Sequence, residues 1–418
     1  MRIPVVPQIS TKDGVSAKNA RLTNCLKESK KGGDKAVVRP GLVLNAEASG
    51  VGNGLVAFNG ELVSVYGATL GVSVVEGGGT PTLDQYTSMT TMLPQGLIYA
   101  NSVYVCTGTN SSTGETRVYS SADGQTWSIG TITTVVGGFS AECIDWNGTT
   151  FCAMAMDDDL AVVESYTSTD GATWTKHDQA GTWVELLSNI GAGLVWDGTN
   201  FIFMSDKYVA TSTNGVTFSE TNPVTNSLAL VWDMESVGGI TIAVGDEGSS
   251  NNSVSVSSDG GATWAYSVPS DSGTYNFYSG ICHDGSNFVI ISSLGDYADP
   301  SVCTSANGTN FVEVATLPSF TNTYVGDPVA LNRIAWNGEH YCATCPNGFW
   351  AISSDAVTWD EYEETGFAFA QIIGVTGGFL ATATNGRTAV ITVPSATGTI
   401  PTITTLTGTA FDFAQSPI

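Results

Sequence analysis

Six copies of one short turn pace this chain. The clearest reads STDGATW, Ser168 to Trp174, and it recurs at Ser121 to Trp127, Ser212 to Phe218, Ser257 to Trp264, Ser305 to Phe311 and Ser353 to Trp359. The closing aromatics, Trp127, Trp174, Phe218, Trp264, Phe311 and Trp359, stand 47, 44, 46, 47 and 48 residues apart. A period of that size means one supersecondary unit repeated, and four short strands fill it. The third residue of each copy, Asp123, Asp170, Asn214, Asp259, Asn307 or Asp355, can accept bonds from the backbone that follows it, and glycine supplies a left-handed residue. The final aromatic is large enough to fill the space between two neighbouring sheets.

A second repeat lies between these turns. Apolar strand, Asn-Gly or Asp-Gly and apolar strand recur at 54–67, 97–108, 143–154, 194–205, 230–245, 281–292, 334–345 and 372–383, with variant turns in some copies. Asn-Gly and Asp-Gly between apolar runs are a strong hairpin signal, because both turn positions need positive φ. Eight hairpins, six of them followed by the serine turn, predict an all-β propeller of four-stranded antiparallel blades over residues 51–406. The period favours eight blades; seven result if the terminal units share one. Residues 1–50 carry neither repeat and are expected to form an extended basic arm, with 407–418 as a C-terminal tail.

The turn resembles the Asp box of sialidases and related propellers. Its fuller spacing stands only at Ser257, Asp259, Gly261, Thr263 and Trp264; the other copies are one residue shorter, and two carry Asn. The resemblance implies a fold, not an activity.

Charge is placed unevenly. The chain has 14 Lys and Arg against 39 Asp and Glu. Nine of the basic residues, Arg2, Lys12, Lys18, Arg21, Lys27, Lys30, Lys31, Lys35 and Arg39, fall in residues 1–45 beside only Asp13, Glu28 and Asp34, which makes that segment +6 and the remainder −31. An acidic body with a basic arm implies a partner for the arm. Within the arm, Lys18 to Lys27 followed by Arg39-Pro40-Gly41-Leu42 resembles the opening of the tail hub or nozzle proteins of short-tailed phages. That resemblance implies a structural virion protein, made in the bacterial cytoplasm and assembled into a ring of about six copies. In such a ring the arm would dock on the portal or adaptor, and DNA would pass without specific binding along an acidic wall that repels phosphate.

Competing chemistries are weaker. A sialidase-like hydrolase would use Arg2-Ile3-Pro4 and an arginine cluster, for which the body offers Arg117, Arg333 and Arg387 in separate units. The fifty residues between Arg2 and the first hairpin, and the charge of the body, speak against it. Asp157-Asp158-Asp159 lacks the companions of a calcium loop. His177, His283 and His340 have no metal-ligand spacing, and His283 stands where sibling repeats have Trp. The eight cysteines are read as free buried thiols, Cys342 and Cys345 included, because an odd separation in a strand sends side chains to opposite faces. No cofactor, metal, catalytic set or membrane span is expected, and no secretory signal is visible. A glycan-binding propeller is the third class, for which the aromatic run Asp271 to Tyr278 is suited.

Overall fold

The hairpins form where the sequence places them, and so do the serine turns. At Asn147, Asp197, Asp284 and Asn337, however, only the following glycine has positive φ, and the Asn or Asp side chain instead accepts the N–H groups two and three residues on. In the computed structural model the described residues are 80–394 apart from 88, 90, 134–139, 158–161, 180–191, 206–207, 222–225, 227, 229, 247–252, 271–275, 295–299, 318–319 and 321–331. Between residues 5 and 73, and at 404–407, strands are described by backbone alone.

Seven four-stranded antiparallel sheets follow one another. Their first strands are Met92–Ala100, Ser140–Trp146, Ala192–Trp196, Leu230–Val237, Asn276–His283, Arg333–Trp336 and Phe369–Val375. Each of these packs against the next and the seventh packs against the first, so they are the innermost strands of a closed ring. The third blade shows the plan: Ala192–Trp196, Phe201–Ser205, Tyr208–Ser212 and Ser219–Thr221, hydrogen-bonded in that order. The second blade gains a fifth strand, since Thr131–Thr133 runs on from the first blade and pairs parallel with Thr173–Asp178.

The count is seven, not eight. The last unit takes its fourth strand from the other end of the ring: Thr82–Thr87 pairs with Arg387–Thr392, Leu83 opposite Ile391 and Tyr86 opposite Thr388. Sharing one blade between early and late strands closes the ring, with Thr82–Thr87 as the outer edge of that blade. The hairpin at 54–67 is real, as Gly52–Phe58 with Glu61–Tyr66, but its sheet is completed by Thr69–Ser73 and Thr404–Thr407. Period counts hairpins and is blind to the sheet each one joins, which is why eight units give seven blades. The chain divides into one unit of Met1–Pro81 with Val393–Ile418 and a second of Thr82–Thr392.

The arm is not one extended segment. Val5–Ile9 pairs with Lys18–Leu22 and Cys25–Lys30 with Gly33–Val38, two antiparallel hairpins. Lys18, Arg21, Lys27, Lys30 and Lys35 fall in these strands, while Arg2, Lys12, Lys31 and Arg39 lie outside the described residues.

The core sits between blades. Trp174 is fully buried in a cluster with Val105 and Val118 of the first blade and Phe151 and Ala153 of its own. Trp264 joins Ile202, Met204 and Val209 of the third blade to Ala243 of the fourth. Trp127, Phe218, Phe311 and Trp359 hold equivalent seams. Such residues add large apolar surfaces to the burial that keeps the sheets together.

Candidate functional site

The serine turn is one constellation built six times. In the second blade the Ser168 hydroxyl donates to Asp170 Oδ1 at 2.9 Å and accepts the Gly171 N–H, also at 2.9 Å. Asp170 Oδ1 accepts the N–H groups of Ala172 and Thr173 at 2.9 and 2.8 Å, and the Trp174 indole donates to the Gly171 carbonyl at 3.0 Å. Asp123, Asn307 and Asp355 accept two following N–H groups in the same way, and Asn214 accepts that of Val216. In the longer copy Ser257 reaches Gly261 and Asp259 reaches Thr263, so the extra residue Gly260 is absorbed in left-handed backbone at φ 72°. Backbone hydrogen bonds hold the carboxyls of Asp123, Asp170 and Asp355 below the usual range, and the Thr263 hydroxyl and N–H do so for Asp259. These aspartates are spent on their own turns.

The seven innermost strands enclose a central channel with a cavity of about 330 Å³. Most wall positions are apolar, but Asp145, Asp233, Glu235, His283, Arg333, Gln95 and Gln371 also line it. Two of the carboxylates join blades. Asp145 Oδ1 accepts the Trp146 N–H at 2.7 Å while Oδ2 accepts the N–H of Trp196 in the third blade at 2.6 Å. Asp233 binds the Met234 N–H at 2.9 Å and the N–H of Ile281 in the fifth blade at 3.0 Å. Arg333, buried in the sixth blade, donates to the Ser279 carbonyl of the fifth at 2.8 Å. Burial raises Asp145 and Asp233 to about 6, against the pull of these N–H groups and, for Asp233, of Arg333. Glu235 is pushed up to about 8, by burial first and then by the Asp233 and Asp145 charges. Burial thus biases all three channel carboxyls toward the protonated form, Glu235 furthest.

The other sequence candidates are dispersed. Of the three body arginines only Arg333 lines the channel. Arg117, on the third strand of the first blade, pairs with Glu115 at 3.1 Å, and Arg387, on that of the seventh, donates to Gln85 at 2.7 Å and to the Gly366 carbonyl. His283 Nδ1 accepts the Gly285 N–H at 3.0 Å, and its ring meets Phe288 edge-on at 4.6 Å. His177 shares a hydrogen bond with the Thr167 hydroxyl at 2.8 Å. The seven cysteines with described side chains are buried and in no disulfide, and burial raises the thiols of Cys342 and Cys345. Asp158 and Asp159 lie outside the described residues, as do 271–275; Tyr278 is buried. Among the described residues no group of three His, Cys, Asp or Glu is placed to hold a metal ion, and no helix is long and apolar enough to cross a membrane.

The channel carboxylates were missed in the sequence. Their signal was a polar residue where siblings are apolar: Asp145 stands at the place of Val195, Cys282 and Ala335, and Asp233 and Glu235 lie in the one hairpin whose sequence departs furthest from the others.

Fold and channel together define a seven-bladed β-propeller whose central wall is tied by charged groups. No family model matches the chain, and no curated protein matches it. Among solved structures it is similar to YCF48 bound to D1 peptide, at 13% identity and a TM-score of 0.54, over 76% of this chain and 98% of that one. It is also similar to a catalytically inactive variant of virginiamycin B lyase from Staphylococcus aureus with quinupristin, at 9% identity and 0.57, over 75% and 100%. At such identities the likeness is one of fold.

Proposed function

We propose that this protein is a structural component of a short-tailed phage tail, part of the hub or nozzle around the DNA exit channel. The observation that carries the reading is the charge split: nine of 14 basic residues lie in residues 1–45, against an acidic remainder. Residues 18–42, by their resemblance to the start of phage hub proteins, support it. So does the use of the channel carboxylates Asp145 and Asp233, each bonded to the backbone of the next blade and thereby committed to holding the ring. In this reading the basic segment docks on an acidic neighbouring ring, the portal or its adaptor, and the acidic propeller keeps DNA from sticking as it passes. Deleting residues 2–45 tests it: the propeller is expected to fold and to be lost from assembled tails, and normal incorporation would overturn the docking role.

A second reading has one observation on its side. Glu235, whose carboxyl burial pushes furthest up, lines the same cavity as Asp145 and Asp233, and carboxyls set apart by their surroundings are what a hydrolase acid and base require. Hydrolysis of a sialoside or another glycan that is lost in Glu235→Gln would favour it over the structural reading.

A further inference from the structure

The blade ends form one face of a single sign. In an antiparallel blade hydrogen-bonded in chain order, the turn from first to second strand and the turn from third to fourth lie at the same end. The hairpins and the serine turns therefore share a face. Among the described residues these turns contain no Lys or Arg. They do carry the four serine-turn aspartates together with Asp197, Asp284 and Glu339. The described cations of the ring lie elsewhere: Arg117, Arg333 and Arg387 stand at or next to the starts of strands that run toward this face, and Lys176 lies within a fourth strand. Around the channel mouth on the same side, Trp146, Trp196 and Trp336 end their innermost strands, each against the aromatic across the turn at 4.3–4.9 Å. Aromatic faces beside fixed carboxylates suit a Lys- and Arg-rich partner.

The chain contains such a partner in residues 1–45, with nine basic residues against three acidic ones. We propose that the turn face of one copy is the docking surface for residues 1–45 of a second copy. The contact is heterologous, arm to face, so repetition closes into a ring or extends as a stack. The proposal rests on the reading of residues 1–45 as a docking element. The receiver it names is the chain's own turn face, which is distinct from a portal or adaptor.

Sedimentation velocity of the full chain, at about 50 mM and about 500 mM salt, tests it. Thr199→Lys, Ser286→Lys and Glu339→Lys together cut the charge of the face from −7 to −3 without touching the bonds that form its turns, since Thr199, Ser286 and Glu339 contribute backbone N–H groups to Asp197, Asp284 and Asn337. Lys27, Lys30, Lys31 and Lys35→Glu reverse the segment. The wild type is expected to self-associate at low salt and at least about tenfold more weakly at high salt. Either variant is expected to lose association. A wild type that is monomeric at low salt, or a face variant or a segment variant that associates like the wild type, would overturn the proposal. If the wild type is monomeric while deletion of residues 2–45 still blocks tail incorporation, this proposal fails and the docking reading stands. If that deletion incorporates normally, the docking reading fails with it.

Discussion

Gly171 and Ala356 occupy the same position in two copies of the serine turn, and only one carries a methyl group. Both have positive φ, 73° and 62°, a region that costs an L-residue roughly 1 kcal/mol. A Cβ on Gly171 would also meet Val105 Cγ2 at 2.7 Å. Gly171→Ala is therefore expected to lower stability by about 1–3 kcal/mol in urea unfolding. Ala356→Gly trades strain relief against a lost buried methyl of similar size, so its effect should be smaller. Trp174→Ala, which empties a fully buried site, should cost about 3–5 kcal/mol; a loss below about 1 kcal/mol would show that the indole is not the anchor of its seam. The channel acids act in the opposite sense to the turn acids. Asp145, Asp233 and Glu235 have folded-state values above their ordinary ones, so their stabilising effect is complete below about pH 4 and is lost as pH rises through 6 and 8. The turn aspartates are depressed, and their contribution disappears only as pH falls below their ordinary range. Melting temperature is thus expected to rise as pH drops from 9 to about 5, with the step above pH 7 removed in Glu235→Gln. The turns were legible because Ser, Asp, Gly and Trp act within seven residues. The channel was not, because Asp145, Asp233, Glu235 and Arg333 meet only after seven strands from the whole ring converge.

Among the elements, Thr82–Thr87 decides the architecture. Its sequence, TLDQYT, alternates as an edge strand does, and nothing within it names Arg387–Thr392, three hundred residues on, as its partner. The hairpin of Gly52–Phe58 and Glu61–Tyr66 was legible for the reverse reason, since its turn and both strands are local. Its exclusion from the ring depends on remote pairing, of Thr404–Thr407 with Thr69–Ser73. Asp84→Cys with Val390→Cys, directly opposed across the closing pair, should form an intramolecular disulfide. It should stabilise the chain by about 2–4 kcal/mol relative to its reduced form. Failure of this pair to bridge under oxidising conditions would contradict a ring closed by Thr82–Thr87.

For the molecule as a whole, the division of charge and the division of structure coincide. The basic segment lies within the unit of Met1–Pro81, and the ring of Thr82–Thr392 holds only five of the 14 basic residues. In the proposed reading, a ring whose channel carboxylates tie blade to blade, together with a separate basic segment, serves an assembly. The central claim is that the assembly is a phage tail, and quantitative mass spectrometry of purified particles tests it most directly. The account predicts several copies of this chain per particle, about six for a closed ring, and their loss when residues 2–45 are deleted. Particles that contain none of it, or a single copy, would contradict the account.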